Sequence, residues 1–195
     1  MEINEIKGLI NPELINTHMR AAAAKDDCRR ELRCLYMEHK EGMLHLITTN
    51  GKILLHSTMS DLDAQLESAP DFKVCVEITR KLKKPKHGKD ISFTIKDGKV
   101  FFKSFDIFDA FEVYKDKEYP NYENVEQVNK HTEALKVFVP VDPRWLDIAL
   151  EYVGMSAYYR PYIVPVDEGI MPIHYWQTDE GVTKHAVIAP MRVEE

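Results

Sequence analysis

The stretch that decides the fold is Asn11-Pro12-Glu13-Leu14-Ile15-Asn16-Thr17-His18-Met19-Arg20-Ala21-Ala22, which follows a short alternating segment at residues 1–6. Asparagine is a preferred N-cap and proline is favoured at the first helical position, so a helix begins here. Its apolar positions recur at the spacing of one helical face. The pattern predicts a strand and then an amphipathic helix that runs out at Lys25-Asp26-Asp27.

Three strands are predicted after this helix. Residues 31–39 and 43–48 read as strands joined by the turn Lys40-Glu41-Gly42. Asn50-Gly51 is a strong hairpin signal, and residues 52–57 form the return strand. The first unit is therefore strand, helix and three strands.

The same order recurs twice. In the second unit, residues 72–76 predict a strand, 77–84 a short helix that ends before Pro85, and 91–96, 100–104 and 110–114 three strands. In the third unit, residues 135–140 predict a strand, Asp142-Pro143 opens a helix with Gly154 as its C-cap, and strands follow at 159–164, 173–177 and 185–193. A period of about 60 residues indicates a repeat architecture.

Composition describes a globular protein. The chain has 195 residues, of which 44% are hydrophobic and 30% charged, and no apolar run approaches the length of a membrane span. The N-terminus is acidic and lacks signal-peptide features. Cys28, Cys34 and Cys75 are odd in number and dispersed, which indicates reduced thiols. We therefore expect a cytoplasmic protein with no membrane association.

Charge is distributed unevenly along the chain. The formal net charge is −6, but residues 72–103 carry +7, which leaves −13 for the rest. A basic stretch in an acidic body can present a local positive surface to a polyanion. The alternative is that these lysines lie on solvated faces or loops.

Enzyme and cofactor signatures are missing. The sequence has no Walker-type phosphate loop, no Gly-rich dinucleotide fingerprint, no His-Glu-x-x-His and no Gly-x-Ser-x-Gly. The spacings of His87, His131, His174 and His185 match no recognised ligand pattern. We expect no catalytic residues, no metal site and no cofactor.

Four segments resemble one family when they are taken in order. Residues 48–53 (Thr-Thr-Asn-Gly-Lys-Ile) resemble an Ala-Thr-Asp-Gly-x-Arg-Leu hairpin, and residues 117–122 (Lys-Glu-Tyr-Pro-Asn-Tyr) resemble a Gly-Glu-Phe-Pro-Asp-Tyr segment. Residues 141–150 are similar to the stretch that opens a last helix, and residues 186–193 (Ala-Val-Ile-Ala-Pro-Met-Arg-Val) resemble a C-terminal Pro-Met-Arg tail. The family is the β sliding clamp of bacterial DNA polymerase III.

The resemblance implies an α+β fold of repeated β-α-β-β-β half-domains, with antiparallel sheets and helices on one face. Residues 1–125 would form one clamp-like domain from half-units 1–60 and 72–122, and residues 134–195 a third half-unit. This third half-unit would pair within the chain or with a second chain. The implied function is a non-enzymatic processivity factor that encircles or contacts duplex DNA without sequence preference and tethers a polymerase or repair partner. The alternative is a clamp-fold adaptor or structural dimer that does not encircle DNA.

Two sets of site residues follow from the resemblance. In the family, the helices face DNA phosphates, which implies DNA-binding roles for Arg20, Lys25, Arg80, Lys81, Lys83 and Lys84. The tail lies in the pocket that receives peptides of polymerases and clamp loaders, which implies partner-binding roles for Ile188, Pro190, Met191 and Arg192. The incomplete number of half-units implies a homo-oligomer.

Overall fold

The computed structural model describes residues 5–23, 29–66, 69–114, 119, 122, 141–154, 162–163, 173–179 and 181–189. The described helices are α1 (Pro12–Arg20) and α2 (Pro143–Val153), and a 3-10 turn spans Arg30–Arg33. The strands are β1 (Ile6–Ile10), β2 (Leu35–Lys40), β3 (Met43–Thr49), β4 (Ile53–Ser60), β5 (Phe72–Val76), β6 (Ile91–Lys96), β7 (Lys99–Lys103), β8 (Phe108–Tyr114), β9 (Tyr162–Ile163), β10 (Ile173–Asp179) and β11 (Val182–Ile188).

These strands join in the order β1-β6-β7-β8-β5-β2-β3-β4-β11-β10-β9, and every described pair is antiparallel. The first two units exchange their first strands, because β1 pairs with β6 of the second unit and β5 pairs with β2 of the first. The exchange makes each unit depend on the other for a complete sheet. β4 then pairs with β11 along its length, which joins the third unit to the first.

Tight turns fix the registers of two hairpins. Glu41 and Gly42 have φ values of 55° and 75°, and Asp97 and Gly98 have values of 51° and 73°. Consecutive positive φ values match the twist of a two-residue hairpin, and glycine adopts them at low cost. The predicted turns at these two positions are therefore confirmed.

The helix signals of the sequence also appear in the structure. The Asn11 side chain accepts a hydrogen bond from the backbone N–H of Glu13 at 2.9 Å, and Asp142 accepts one from Arg144 at 3.0 Å. α2 ends at Val153, and Gly154, with a φ of 83°, is its C-cap as predicted. α1 is shorter than predicted, because it ends at Arg20 with its C-cap at Ala21.

Both helices bury their apolar residues on one face of the sheet. Ile15 of α1 and Ala149 of α2 are fully buried, and they share one core with Leu35, Leu46 and Leu55 of the central strands. α2 packs on β10, β11 and β4, and it also contacts α1. The predicted α+β class, with antiparallel strands and helices on one face, is confirmed.

The helix predicted at 77–84 is wrong, since these residues form an irregular segment. Residues 80–84 include four cations. A helix would bring those that are three or four residues apart close together, and like charges at these spacings destabilise a helix. Pro85 also disfavours helical geometry at the residue before it. We call residues 77–90 the basic loop. The strand predicted at 135–140 lies outside the described residues.

Candidate nucleic-acid interface

A groove of about 1000 Å³ lies on the helix-bearing side of the sheet. Its walls come from α1, from the start and end of the basic loop, and from residues of β4, β11 and α2. Six cationic side chains line it, namely Arg20, Arg33, Arg80, Lys81, Lys89 and Lys184. Three of the predicted DNA-binding residues are thus brought to one groove, although only Arg20 lies on a helix.

The basic loop is fastened to α1 through Asn16. The Asn16 side chain donates to the Leu82 carbonyl at 2.9 Å and accepts from the Leu82 N–H at 2.8 Å. Leu82 is 1% exposed and Ile78 is 7% exposed, so two apolar anchors hold the loop against the core. A side-chain amide that satisfies both backbone groups of one residue replaces the hydrogen bonds that a helix would have supplied.

Several of the predicted cations have carboxylate partners. Arg20 pairs with Glu151 of α2, and Arg80 pairs with Asp109 of β8. Lys84 Nζ lies 2.5 Å from a carboxylate oxygen of Glu13. Five of these six side chains are well exposed and only Asp109 is mostly buried, so the pairs contribute little to stability, but each reduces the local positive charge.

Lys81 and Lys83 differ from these cations. Both are exposed, and neither forms an ion pair within the part of the chain that the structure describes. An exposed lysine on an anchored loop can pair with a phosphate at little conformational cost. These two residues are therefore the predicted DNA-binding lysines whose charge the described fold leaves uncompensated. Lys25 lies outside the described residues.

A buried polar network lies beneath the groove. His18 of α1 has its Nδ1 atom 3.2 Å from Thr48 Oγ1 and its Nε2 atom 3.0 Å from Ser57 Oγ. Tyr152 of α2 places its hydroxyl 2.5 Å from Ser57 Oγ. Burial lowers the pKa of His18 to about 3, so the imidazole is neutral at physiological pH. The network ties both helices to the central strands through neutral hydrogen bonds.

The predicted peptide-binding residues lie mostly beyond the described part of the chain. Pro190, Met191 and Arg192 are outside it. Ile188 is fully buried in the core shared with the helices. Its neighbour Val187 lies on the opposite face of the sheet, in a second apolar cluster with Tyr36 and Ile47.

Two tyrosines cover this second cluster. Tyr119 stacks on Tyr36 with ring centroids 4.9 Å apart, and its hydroxyl accepts from the Thr49 N–H at 3.0 Å. Tyr122 donates to Glu38 Oε2 at 2.7 Å. The segment that the sequence matched at 117–122 therefore packs its two tyrosines on the sheet face away from the helices.

Sequence reasoning missed several residues that the structure brings to the groove. Arg33 follows Arg29 and Arg30 outside the basic segment, Lys184 has no other cation beside it, and no motif marks either residue. Asn16 occupies an ordinary helical position, 66 residues from its partner Leu82. Within the described residues, no cluster of three or more His, Cys, Asp or Glu side chains has the arrangement of a metal site. No helix there is both long and apolar enough to cross a membrane.

Solved structures share this arrangement of strands and helices. DNA polymerase III subunit β from Pseudomonas aeruginosa is 14% identical and superimposes with a TM-score of 0.65, covering 99% of this chain and 68% of that chain. The Helicobacter pylori β clamp in complex with diflunisal is 11% identical with a TM-score of 0.67, over 99% and 68% of the two chains. The chain has the DNA-clamp fold.

A third solved structure that matches this chain is a PCNA. A. fulgidus PCNA, bound to the C-terminal region of FEN-1, is 7% identical with a TM-score of 0.57, over 97% of this chain and 100% of that chain. The chain therefore spans about two thirds of the bacterial clamps and the whole of this PCNA chain. No protein-family model matches the sequence, and no curated protein matches it.

Proposed function

We propose that this chain is a sliding-clamp-like processivity factor, which contacts duplex DNA non-specifically through its helix-bearing face and tethers a polymerase or repair protein. The observation that carries the proposal is the basic loop, which is anchored along α1 beside the groove in a chain with the DNA-clamp fold. The role is topological and electrostatic, and it requires no enzymatic chemistry.

The basic loop has the properties of a phosphate-contacting element. It presents Lys81 and Lys83 without compensating carboxylates in the described fold, and Leu82 between them is fixed by Asn16. Contacts to phosphates carry no sequence information and weaken as salt rises. The loop takes the place that a helix would occupy in a regular β-α-β-β-β unit. We propose Arg20, Arg80, Lys81, Lys83 and Lys84 as the described DNA contacts, with Lys25 as a further one.

Oligomerisation through a strand edge is part of the proposal. β8 pairs with β7 over Phe108–Glu112 and meets β5 only at Val113 and Tyr114, so among the described strands the outer edge of residues 108–112 has no partner. β4, the equivalent last strand of the first unit, is covered by β11. Phe108 is 66% exposed beside the open edge. We propose that a second copy covers β8 in a similar way, which supports a closed assembly.

Domain organisation and partner binding follow from the same proposal. Residues 1–125 would act as one clamp-like domain and residues 134–195 as a third half-unit. The tail residues Pro190, Met191 and Arg192 remain the proposed contacts for a polymerase or loader peptide, with Ile188 supporting them from the core. We expect the protein to act in the cytoplasm.

Retention on circular DNA tests the proposal. Light scattering across a dilution series gives the oligomeric state, and gel filtration with nicked circular DNA measures retention. A clamp forms a defined oligomer that stays on circles and is lost when the circles are linearised. A monomer or dimer with equal retention on circular and linear DNA would exclude encirclement.

Charge reversal in the basic loop tests which face meets DNA. Lys81→Glu/Lys83→Glu should weaken binding by at least about tenfold at low salt and flatten the salt dependence. Lys99→Glu/Lys103→Glu is the matched control, because it also reverses two charges, at positions of β7 that alternate with the core residues Val100 and Phe102. It therefore reverses the same number of charges on the opposite face of the sheet. Equal losses in both variants would point to a general charge effect and contradict the assigned face.

The charge balance of the groove favours a second candidate, a clamp-fold adaptor that does not encircle DNA. Five carboxylates line the groove beside its six cations, namely those of Glu13, Asp63, Glu77, Asp90 and Glu151. Arg20 and Lys84 are paired with two of them. An adaptor predicts a defined oligomer with no topology-dependent retention, so the same DNA experiment separates the two functions.

A further inference from the structure

We propose that the outer face of the β7–β8 hairpin is a second nucleic-acid site, which binds single-stranded DNA by stacking bases on phenylalanine rings and pairing phosphates with lysines. We call this surface the aromatic face, and it consists of Lys99, Phe101, Lys103, Phe105 and Phe108. None of these residues lines the groove that we assign to duplex DNA. The choice of DNA over RNA rests on the proposed function, whereas the site itself does not.

Strand register places these side chains on one face of the sheet. Val100 and Phe102 of β7 are fully buried, so the alternate residues of this strand face away from the core. These alternate residues are Lys99, Phe101 and Lys103. Phe108 lies directly opposite Lys103 in the antiparallel register, so it shares their face. The rings of Phe101 and Phe108 therefore meet, with centroids 6.0 Å apart.

An anchored turn presents the phenylalanines to solvent. Phe105 is 100% exposed and Phe108 is 66% exposed, and within the described residues the only other exposed large hydrophobic side chain is Leu62. The Ser104 N–H donates to the Ile107 carbonyl at 3.0 Å, and Ile107 is buried in the core. The turn that carries Phe105 is therefore fixed at both ends, so little backbone freedom is lost when a base stacks on the ring.

Lysines flank the rings on this face. Lys99 lies 3.1 Å from Glu112, and Lys96, which is opposite Lys99 on β6, lies 3.8 Å from Glu5. Lys103 forms no ion pair within the part of the chain that the structure describes. The face therefore offers one uncompensated cation next to Phe108 and two partly compensated ones, which is enough to attract phosphates but not enough to bind them tightly without the rings.

This combination selects unpaired bases. Every base has a planar face that can stack on an aromatic ring, but in a duplex these faces are covered by the neighbouring base pairs. Asp106 follows Phe105 in the turn and disfavours a phosphate there, so we place the phosphates at Lys99 and Lys103. Stacking takes place above the sheet, whereas a second copy at the β8 edge would bind backbone groups within the plane of the sheet. The two contacts are therefore compatible.

Ring variants of the full chain test the stacking. Fluorescence anisotropy measures the binding of a dye-labelled thymidine oligonucleotide of about 12 nucleotides and of a hairpin duplex. Phe105→Leu/Phe108→Leu keeps apolar side chains but removes the rings, and it should weaken single-strand binding at least about fivefold without changing duplex binding. Phe105→Tyr/Phe108→Tyr keeps both rings and should bind like the wild type. Leu62→Ala, at the third exposed apolar position, is the control and should change neither affinity.

A leucine variant that binds the single strand as tightly as the wild type would overturn the proposal. The same holds if the ring variants change only the oligomeric state measured by light scattering, because the aromatic face would then be a contact between copies. Tighter binding of a uridine oligonucleotide than of the thymidine one would overturn the assignment to DNA.

Charge reversal separates the two nucleic-acid sites. Lys99→Glu/Lys103→Glu should weaken single-strand binding at least about tenfold at low salt and leave duplex binding intact, and Lys81→Glu/Lys83→Glu should do the reverse. A wild-type protein that binds single strands but not duplexes would contradict the proposed function and support this inference. A wild-type protein that binds only duplexes would overturn this inference and leave the proposed function standing.

Discussion

The first and second units have the same strand pattern but different connections between their first strand and the other three. The first unit uses α1, which is capped by Asn11 and buried along one face. The second unit uses the basic loop, which is held by Asn16 of the first unit and by two apolar anchors. The comparison shows that the sheet forms even where an irregular loop replaces a helix. The condition is that a neighbouring element supplies hydrogen bonds to the backbone of that loop, as Asn16 does for Leu82.

A buried polar network joins the helix of the first unit to its strands, and His18→Ala is the most direct way to break it. The variant removes packing and leaves the hydroxyl groups of Thr48 and Ser57 without their imidazole partner. We expect a loss of about 3 kcal/mol in the free energy of unfolding, measured by urea titration. His87→Ala, in the second unit's loop, should change it by less than about 0.5 kcal/mol. Similar losses would show that the network is not what distinguishes the units.

The effect of acid on His18 gives a second test of the difference between the first and second units. Its pKa is about 3 when folded, and the unfolded value is near 6.5, so the unfolded chain binds the extra proton between these values. The contribution of neutral His18 to the free energy of unfolding is therefore fully present above the unfolded pKa, and it is lost as the pH decreases toward 3. The loss attributable to His18 at pH 5 is about 2 kcal/mol. Urea titrations of the wild type and His18→Gln across this range measure it, and parallel pH curves would refute it.

Release of the basic loop tests whether Asn16 substitutes for a helix. Asn16→Ala removes both hydrogen bonds to Leu82, and we expect a loss of about 1–2 kcal/mol. Trypsin should cut the loop after Arg80, Lys81 and Lys83 several-fold faster, because the backbone there opens more often. Asn16→Asp keeps the acceptor and loses the donor, so its cleavage rate should lie between those of the wild type and Asn16→Ala. Unchanged cleavage would mean that Ile78 and Leu82 alone anchor the loop.

The N-cap of α1 gives the smallest expected effect. Asn11→Ala removes the hydrogen bond to the Glu13 N–H, and we expect a loss of about 1 kcal/mol. Asn11→Ser, which restores a capping oxygen, should recover most of it. Thermal unfolding of the three proteins measures the difference, and equal midpoints would indicate that tertiary packing alone holds the first turn.

Much of the fold could be predicted from local signals. The caps Asn11 and Asp142, the turn at Asp97-Gly98 and the strands at 72–76 and 91–96 appear where the sequence placed them. These features depend on interactions within a few residues, which is why a single sequence reveals them. The helix at 77–84 failed because Ile78 and Leu82 have helical spacing for another reason, namely that both anchor an irregular loop.

The candidate site was less accessible to such reasoning. Arg80 and Lys81 were predicted because they belong to a basic segment. Arg33 and Lys184 also line the groove, but they lie outside that segment and belong to no motif. The histidines His45, His56, His174 and His185 also gave no sign in the sequence that they lie close together. Their pairing is created by strand register, with His56 meeting His185 across 129 positions of the chain.

The sequence by itself determined the strand-helix-strand pattern, the two capped helices and the concentration of positive charge between residues 72 and 103. Hydrophobic periodicity, capping and turn chemistry are local, so they can be read along one chain. Only the tertiary structure decided that β1 and β5 are exchanged, that β4 meets β11, and that Asn16 holds the basic loop. These outcomes are set by which distant strands and side chains satisfy one another's hydrogen bonds, and that choice is made only when the whole sheet closes over its core.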